Sequence, residues 1–282
     1  MFKQHMCNMK NGLLLIVLLS TGLFTKAQDL SLFKKEWLFQ SGDTLPYRIL
    51  LPQNFDANKK YPLVLFLHGR GESGTDNEKQ LVHGAKLFLA DSNRNNFPAI
   101  VVFPQCPVNS YWSNVQMVAE GSKSASRSFY FTKEGEATGA MKMVMALMGN
   151  LFARFKIQEN QVYVMGLSMG GMGTFEVVRR MPNTFAAAIP ICGGANPATA
   201  GSLTKTNWWV FHGGKDDVVL PKYSEDMVKA MKRYRVPVKF TLYPEANHNS
   251  WDPAFAEPEL LKWLFKQKKK AEPVYNERGG GN

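Results

Sequence analysis

A serine at position 168 lies in a pattern that activates serine hydroxyls for nucleophilic attack. Residues 166–170 read Gly-Leu-Ser-Met-Gly, which is G-x-S-x-G. The pattern requires a tight turn from a strand into a helix, with glycines where a side chain would collide with the sheet or the helix. An apolar run of strand length (residues 162–165) precedes it, and a helical pattern follows. We therefore predict that Ser168 is a nucleophile, the alternative being a structural glycine-rich turn.

A serine hydroxyl is a weak nucleophile at neutral pH, so a histidine must accept its proton and an acid must orient that histidine. The sequence has five histidines. His68 and His83 precede the serine, and His5 lies in the N-terminal leader described below. His212 precedes the acid candidates. His248 completes the chain order serine, acid, histidine and is the predicted base; an ordinary surface histidine is the alternative.

Two adjacent carboxylates are candidates for the acid. Asp216 and Asp217 both lie on the turn after an apolar run at 208–211. The segment resembles the H-G-x-x-D-x-x-V pattern of carboxylesterases and polyester depolymerases, and Asp216 falls on the aspartate of that pattern. We therefore favour Asp216, which leaves Asp217 as a solvated or turn-capping residue.

Acyl transfer also needs two backbone amides that stabilise an oxyanion. Met169 supplies one, because it follows the nucleophile at the positive end of a helix. The second is expected from the glycine-rich loop at 68–74, and we assign it to Arg70, the residue after His-Gly. The Arg70 side chain is either solvated or bound to substrate, and the sequence does not choose between the two.

The N-terminus has the outline of a signal peptide. Lys3 and Lys10 precede an apolar run at 12–19, and small residues at Thr25 and Ala27 predict cleavage after Ala27. The alternative is an uncleaved anchor, but the run is shorter than the roughly 20 residues that a bilayer requires. The expected organisation is a signal peptide at 1–27, a catalytic domain at 28–271 and a disordered tail at 272–282.

The composition argues against several classes of partner. The net charge of +11 falls to +8 when the three lysines of the leader are removed, and no nucleic-acid motif carries that charge. The densest lysine stretch, at 262–270, is typical of a solvated helix and tail. No further hydrophobic stretch has membrane length, so no stable membrane insertion is expected after cleavage. Metal-ligand spacings and a dinucleotide fingerprint are also lacking, and we expect no metal and no cofactor.

Alternating strand and helix patterns predict an α/β class with a mostly parallel central sheet and helices on both faces. Two strands are expected within 35–52, joined by a turn at 41–43. Six later runs have strand length and read as strands buried on both faces, namely 62–67, 99–103, 162–165, 186–191, 208–211 and 238–243. Helices are predicted at 141–152, 169–180 and 224–234.

One connection, at 105–135, is unusually long and rich in aromatic residues. It leaves the same sheet edge as the predicted nucleophile, so it can form a wall of a cleft. Tyr111, Trp112 and Trp251 are the predicted substrate-binding residues. The alternative is that these three residues only pack the loop onto the domain.

Nearly the whole chain after the leader resembles secreted bacterial esterases of the α/β-hydrolase fold that are described as predicted peptidases. These are related to feruloyl and acetylxylan esterases and to carboxylesterases. The resemblance is carried by the block at 62–74 with its Gly-Glu-Ser-Gly, the stretch at 104–107 with Trp112 after it, the nucleophile turn, and His248 followed by Trp251 and Asp252. It implies the fold and the Ser168, Asp216, His248 triad without fixing the acyl group or the alcohol.

The resemblance also bears on the two cysteines that remain after cleavage, Cys106 and Cys192. In this fold the strands before them are expected to lie three strand spacings apart, which is about 14 Å. A disulfide requires Cα atoms within about 7 Å, so both are expected to be free thiols.

The sequence thus favours a secreted or periplasmic serine esterase that forms an acyl-enzyme on Ser168. Its substrate would be a small-molecule ester or an acyl or feruloyl ester of a polysaccharide. The rival hypothesis is a serine peptidase of the same fold, because the same triad cleaves amides. A binding protein on an inactive scaffold is the third, disfavoured by the complete triad.

Overall fold

The computed structural model describes residues 29–119 and 127–269. The predicted signal peptide at 1–27 and the predicted tail at 272–282 lie outside the described residues, as does part of the long connection. Within the described ranges, no helix combines the length and the apolar character needed to cross a membrane.

The described residues form ten strands, namely β1 (Lys34–Gln40), β2 (Asp43–Leu50), β3 (Tyr61–Leu67), β4 (Ile100–Pro104), β5 (Val115–Ala119), β6 (Arg127–Phe131), β7 (Ile157–Leu167), β8 (Ala187–Ile191), β9 (Asn207–Gly213) and β10 (Val238–Tyr243). Eight of them form the central sheet, in the order β1-β2-β4-β3-β7-β8-β9-β10. β1 and β2 are antiparallel to each other, and β2 is antiparallel to β4; the other neighbours are parallel. β5 and β6 form a separate two-stranded sheet.

Helices cover both faces of the central sheet, and each face has its own core. The described helices are α1 (Ala85–Leu89), α2 (Asp91–Asn96), α3 (Gly139–Arg154), α4 (Met169–Arg180), α5 (Lys222–Arg233), α6 (Trp251–Phe255) and α7 (Leu260–Lys266). Within β3, Leu63 and Leu65 pack in the core with α3, α4 and α5, whereas Val64 and Phe66 pack in the core with α1 and α7. Burial on both faces explains the continuous apolar runs, and the predicted α/β class is confirmed.

The last strand departs from the predicted pattern. β10 pairs only with β9, because it is the edge of the sheet, and its residues are half-buried or exposed. Leu242 is 37% exposed. The run at 238–243 was therefore correct as a strand but wrong as a strand buried on both faces. The helix expected at 224–234 begins two residues earlier, directly after Pro221.

The long aromatic connection contains secondary structure that its sequence pattern did not indicate. β5 and β6 form an antiparallel hairpin, with Val115 opposite Phe131. Phe129 of β6 packs with Met172 of α4 and Val219 of the turn after β9. The contacts of Phe129 with Met172 and Val219 join segments that are distant in the chain, and local periodicity does not encode them. The hairpin lies against both α4 and the turn after β9.

The strand order also decides the state of the cysteines. Cys106 follows β4 and Cys192 follows β8, and these strands are three positions apart in the sheet. Both cysteines are buried and free. The prediction that they do not pair is confirmed.

Candidate active site

Ser168 lies between the end of β7 and the start of α4, in the turn that its sequence pattern predicted. Its backbone has φ +53° and ψ −117°, a conformation that residues with a side chain rarely adopt. The Ser168 N–H donates to the carbonyl of Ile191 on β8 (2.9 Å), which anchors the turn to the neighbouring strand. The hydroxyl is thereby held at the carboxyl edge of the sheet.

The two glycines of the pattern are required by close backbone approach. A Cβ atom on Gly166 would lie 2.3 Å from the carbonyl oxygen of Gly170. A Cβ atom on Gly170 would lie 1.9 Å from the carbonyl oxygen of Leu67, at the end of β3. Real Cβ atoms do not come so near, so the first turn of α4 can lie against β3 and β7 only when these positions are glycine.

The structure brings His248 and Asp216 to this serine. His248 Nε2 lies 3.0 Å from Ser168 Oγ, and His248 Nδ1 lies 2.8 Å from Asp216 Oδ2. Ser168 and His248 are half-buried, whereas Asp216 is 3% exposed. The neighbouring Asp217 has an exposed side chain. Asp216 is therefore the aspartate whose carboxylate reaches the histidine, and the three groups can pass a proton from serine to imidazole.

Asp216 is surrounded by hydrogen-bond donors. Its Oδ1 accepts the backbone N–H groups of Val218 (3.0 Å) and Val219 (2.9 Å). Its Oδ2 accepts from His248 and also lies 3.2 Å from Nε2 of the buried His212. Burial alone would raise the pKa of Asp216, but the bonds from His212, His248 and the Val219 N–H outweigh it and hold that pKa below its usual range. The carboxylate is thus ionised when it faces His248.

The two predicted oxyanion amides belong to the start of α4 and to the loop after β3. Met169 is the first residue of α4, so its N–H has no acceptor within the helix. Arg70 opens a short 3₁₀ turn (Arg70–Glu72), whose internal bonds come from the N–H groups of Glu72 and Ser73. The loop holding Arg70 adjoins the end of β7, because a Cβ atom on Gly69 would lie 2.9 Å from the Leu167 side chain.

The Arg70 side chain is exposed, and its guanidinium is hydrogen-bonded within the protein. Its guanidinium donates to the carbonyls of Ser110 (2.9 Å) and Val108 (2.5 Å) and lies 5.0 Å from the centre of the Tyr111 ring. This exposure agrees with the solvated alternative, and contact with a substrate stays a prediction. The side chain holds the start of the long connection against the loop after β3.

His68, set aside by chain order, fixes the shape of the same loop. Its Nδ1–H donates to the Gly69 carbonyl (2.6 Å), and its Nε2 accepts the Cys106 N–H (2.9 Å). Burial lowers the pKa of His68 to about 4, so the ring is neutral, as this bonding requires. The Trp112 indole N–H donates to the His68 carbonyl (3.1 Å). In the sequence, the position of His68 at the end of a predicted strand was the signal that could have indicated this structural role.

The three predicted wall residues differ in their surroundings. Trp112 is 0% exposed, and its side chain packs where a Cβ atom on Gly173 would lie 2.5 Å away. It cannot contact a substrate, so its assignment as a substrate-binding residue was wrong. Tyr111 and Trp251 are half-buried. The Trp251 ring lies edge-on to His248 with centroids 5.5 Å apart, which leaves it beside the site.

Two features next to the site were not anticipated from the sequence. The first is the β5–β6 hairpin, whose Phe129 reaches Met172 in the first turn of α4. The second is His212, which the H-G-x-x-D pattern contains but which chain order excluded as a base. It contacts Asp216 because β9 ends directly before the turn that carries this aspartate.

One group of possible metal ligands occurs among the described residues. The ligand atoms of Cys192, Asp216 and His248 all lie within 4.8 Å of one another. Burial raises the pKa of the Cys192 thiol well above its usual value, whereas metals bind the thiolate. Asp216 and His248 already bond each other, so the arrangement suits proton transfer better than coordination.

The chain is similar in sequence to esterases and to a depolymerase. The sequence family described as "Putative esterase" matches residues 40–272, which is most of the chain. A poly(3-hydroxyalkanoate) depolymerase C of Paucimonas lemoignei is 24% identical over 217 residues, covering 65% of this chain and 47% of that protein. The chain therefore spans about half the length of this curated relative.

Solved structures agree in fold. A structure described as a thermostable esterase is 33% identical with a TM-score of 0.75, covering 85% of this chain and 64% of that one. The feruloyl esterase module of Clostridium thermocellum, solved in complex with sinapinate, is 17% identical with a TM-score of 0.59. That match covers 84% of this chain and 89% of the module, and at such identity it shows the fold alone.

The different surroundings of Trp112 and Trp251 predict different consequences of truncation. Trp112→Ala leaves a large buried cavity and is expected to lower the free energy of unfolding by about 3–5 kcal/mol, with all esters affected alike. Trp251→Ala is expected to change the ratio of kcat/KM between a bulky aromatic ester and an acetyl ester. Thermal unfolding and steady-state kinetics measure both effects.

Trp37→Ala is the matched control, because Trp37 is 47% exposed on β1, at the far edge of the sheet. This variant should leave the kcat/KM ratio between the aromatic ester and the acetyl ester unchanged. A ratio for Trp251→Ala within about twofold of wild type, or ~0.4 kcal/mol, would remove Trp251 from the substrate wall.

Proposed function

The chain belongs to the esterase family, and we propose that it is a serine hydrolase that cleaves carboxylic esters with Ser168 as the nucleophile. The observation that carries the proposal is the unbroken line of contacts from Ser168 Oγ to His248 and from His248 to Asp216. The line lies at the carboxyl edge of a parallel sheet, where α/β proteins bind their ligands.

In the first half of the proposed reaction, Ser168 Oγ attacks the carbonyl carbon of the ester while His248 Nε2 accepts the hydroxyl proton. The carbonyl oxygen becomes an oxyanion that accepts hydrogen bonds from the Arg70 and Met169 N–H groups. Asp216 stabilises the imidazolium through Nδ1–H. The intermediate collapses, His248 gives its proton to the leaving alcohol, and an acyl-enzyme remains on Ser168.

The second half repeats these steps with water. His248 removes a proton from a water molecule, which attacks the acyl carbon and forms a second oxyanion. Collapse breaks the bond to Ser168 Oγ, and His248 returns the proton to the serine. The carboxylic acid is then released.

For the substrate, we propose an ester outside the cytoplasm, an acyl or feruloyl group on a polysaccharide. The half-buried ring of Trp251, edge-on to His248, suits an aromatic acyl group, and Tyr111 stays a predicted substrate-binding residue. The names of the relatives indicate aromatic and aliphatic esters alike, since one is a feruloyl esterase module and another a polyhydroxyalkanoate depolymerase.

The role of Ser168 is tested by Ser168→Ala. Because the hydroxyl carries the covalent step, ester hydrolysis should fall by at least about a thousandfold, with the melting temperature little changed. Short p-nitrophenyl esters and aminoacyl-nitroanilides assayed side by side measure the loss and separate an esterase from a peptidase. A variant that keeps more than about a tenth of wild-type turnover would contradict the assignment; preference of the wild type for the anilide would favour a peptidase.

The two adjacent aspartates provide a matched pair for testing the acid. Asp216→Asn should lower kcat by about four orders of magnitude, because the amide leaves His248 in the wrong tautomer. Asp217→Asn changes an exposed side chain and should leave kcat within about twofold. Steady-state kinetics on one ester is sufficient, and comparable losses in the two variants would show that the carboxylate of Asp216 is not the acid.

We also propose that residues 1–27 direct export to the periplasm or the medium and are removed after Ala27. Their basic start, apolar run and small residues before the cleavage point support this. When the full chain is expressed in a bacterium, intact mass of the exported protein should correspond to a start at Gln28. Deletion of 1–27 is the control and should retain the protein in the cytoplasm. Recovery of the uncut chain in the membrane fraction would instead indicate an anchor.

A further inference from the structure

A second histidine, on β9, contacts the carboxylate of Asp216. His212 is the sixth residue of β9 and is 0% exposed. Its Nε2 lies 2.8 Å from the Val219 carbonyl oxygen and 3.2 Å from Asp216 Oδ2. Its Nδ1 lies 2.7 Å from Ser224 Oγ at the start of α5. Neither ring nitrogen is near solvent, so the hydrogens on this ring must satisfy these partners alone.

The two partners of His212 Nε2 show that this nitrogen carries a hydrogen. The Val219 carbonyl accepts hydrogen bonds and cannot donate, and the same holds for the ionised carboxylate of Asp216. Both contacts therefore require a hydrogen on Nε2. The single N–H is shared between the carbonyl and the carboxylate.

The hydrogen bonding of Ser224, the partner of His212 Nδ1, shows that Nδ1 also carries a hydrogen. Ser224 Oγ also lies 2.9 Å from the buried carbonyl oxygen of Gly193, to which it donates. A hydroxyl has one hydrogen, so a hydroxyl that donates to Gly193 can only accept from His212 Nδ1. If the hydroxyl hydrogen pointed to Nδ1 instead, two oxygen lone pairs would face each other in a buried place, which is costly.

We propose that His212 carries a proton on both ring nitrogens and forms a buried ion pair with Asp216, acting as a positioning residue for the triad. The inference rests on the proposed function, because it assigns Asp216 the role of orienting His248. One carboxylate is then shared by two imidazoles. Buried charges occur in pairs, and the His212 and Asp216 side chains are both 0% exposed.

This sharing has a direct effect on the base. A cation beside Asp216 offsets part of the negative charge that would otherwise stabilise a proton on His248. His248 therefore remains neutral down to lower pH, and the neutral ring is the form that accepts the serine proton. The Asp216 carboxylate is at the same time held in place by a donor that does not take part in proton transfer.

Other titratable groups around the pair do not replace His212 in this role. Cys192 faces Asp216 from β8, but burial raises its pKa and keeps the thiol neutral. Lys215, on the acid turn, pairs with Glu245 at the surface. Lys222, at the start of α5, pairs with Asp226, also at the surface. Apart from His248, His212 is the group that can place a positive charge against Asp216 within the described residues.

Nitrogen-15 NMR of histidine-labelled protein tests the proton count directly. In the wild type, the His212 ring should show two protonated nitrogens across the pH range in which His248 titrates. An unprotonated Nδ1 on His212 in that range would overturn the proposal. This measurement needs no variant and no turnover.

Two substitutions test the effect on the base. His212→Asn keeps a polar group near Ser224 but removes the donor to Asp216, whereas His212→Gln extends a neutral donor toward Asp216. Loss of the positive charge in both should raise the titration midpoint of His248, and the acidic midpoint of kcat/KM, by about one pH unit. His212→Gln should retain more of kcat, because its amide can still hold the carboxylate.

Trp208→Phe is the matched control. Trp208 is also buried on β9, but its indole N–H donates to Leu203 and not to the triad. It should lower the melting temperature without moving either midpoint. A His248 midpoint that is unchanged in both His212 variants would overturn the proposal. If the wild type hydrolyses no ester, the proposed function fails, whereas the NMR midpoints still decide the role of His212.

Discussion

The close approach of α4 to the ends of β3 and β7 is the contact on which the site depends. Gly170 lies so near the Leu67 carbonyl that no side chain fits between them, and Gly166 is equally close to the backbone of the helix. The approach places Ser168 in a strained conformation that the surrounding packing maintains. It also brings the first turn of α4 beside the loop after β3, so that the proposed nucleophile and the proposed oxyanion donors lie on neighbouring segments.

The second constraint is the burial of a negative charge. Asp216 is nearly inaccessible to water and would be costly to ionise without compensation. Two backbone N–H groups and two histidine rings supply that compensation and fill both carboxylate oxygens. The turn after β9 is therefore organised around its aspartate. The loop carrying His248 is fixed by the same carboxylate, which couples the ends of β9 and β10.

Loops at the carboxyl edge are held by polar contacts between segments distant in the chain. Arg70 binds the carbonyls of Val108 and Ser110, and His68 bonds both its own loop and Cys106. Phe129 of the hairpin packs against Met172 and Val219. Apart from the bond between His68 and Gly69, these contacts link segments that are distant in the chain. The cleft is consequently shaped by residues that need never touch a substrate.

The sequence by itself determined what depends on neighbouring residues. Runs of apolar residues predicted the buried parallel strands, and the G-x-S-x-G pattern between a strand and a helix predicted the turn at Ser168. Chain order was enough to single out His248. The strands and the turn are local features, because strand burial, turn geometry and helix initiation are governed by residues a few positions apart.

Only the tertiary structure decided how distant side chains meet. It brought Asp216 and not Asp217 to the histidine, buried Trp112 in the core and turned the Arg70 guanidinium onto carbonyls some 40 residues away. It also placed His212 against the carboxylate of Asp216. Adjacent residues on a turn point in different directions, and a tryptophan packs equally well in a core or at a cleft. Which of these occurs depends on atoms that the fold brings together and that sequence spacing does not encode.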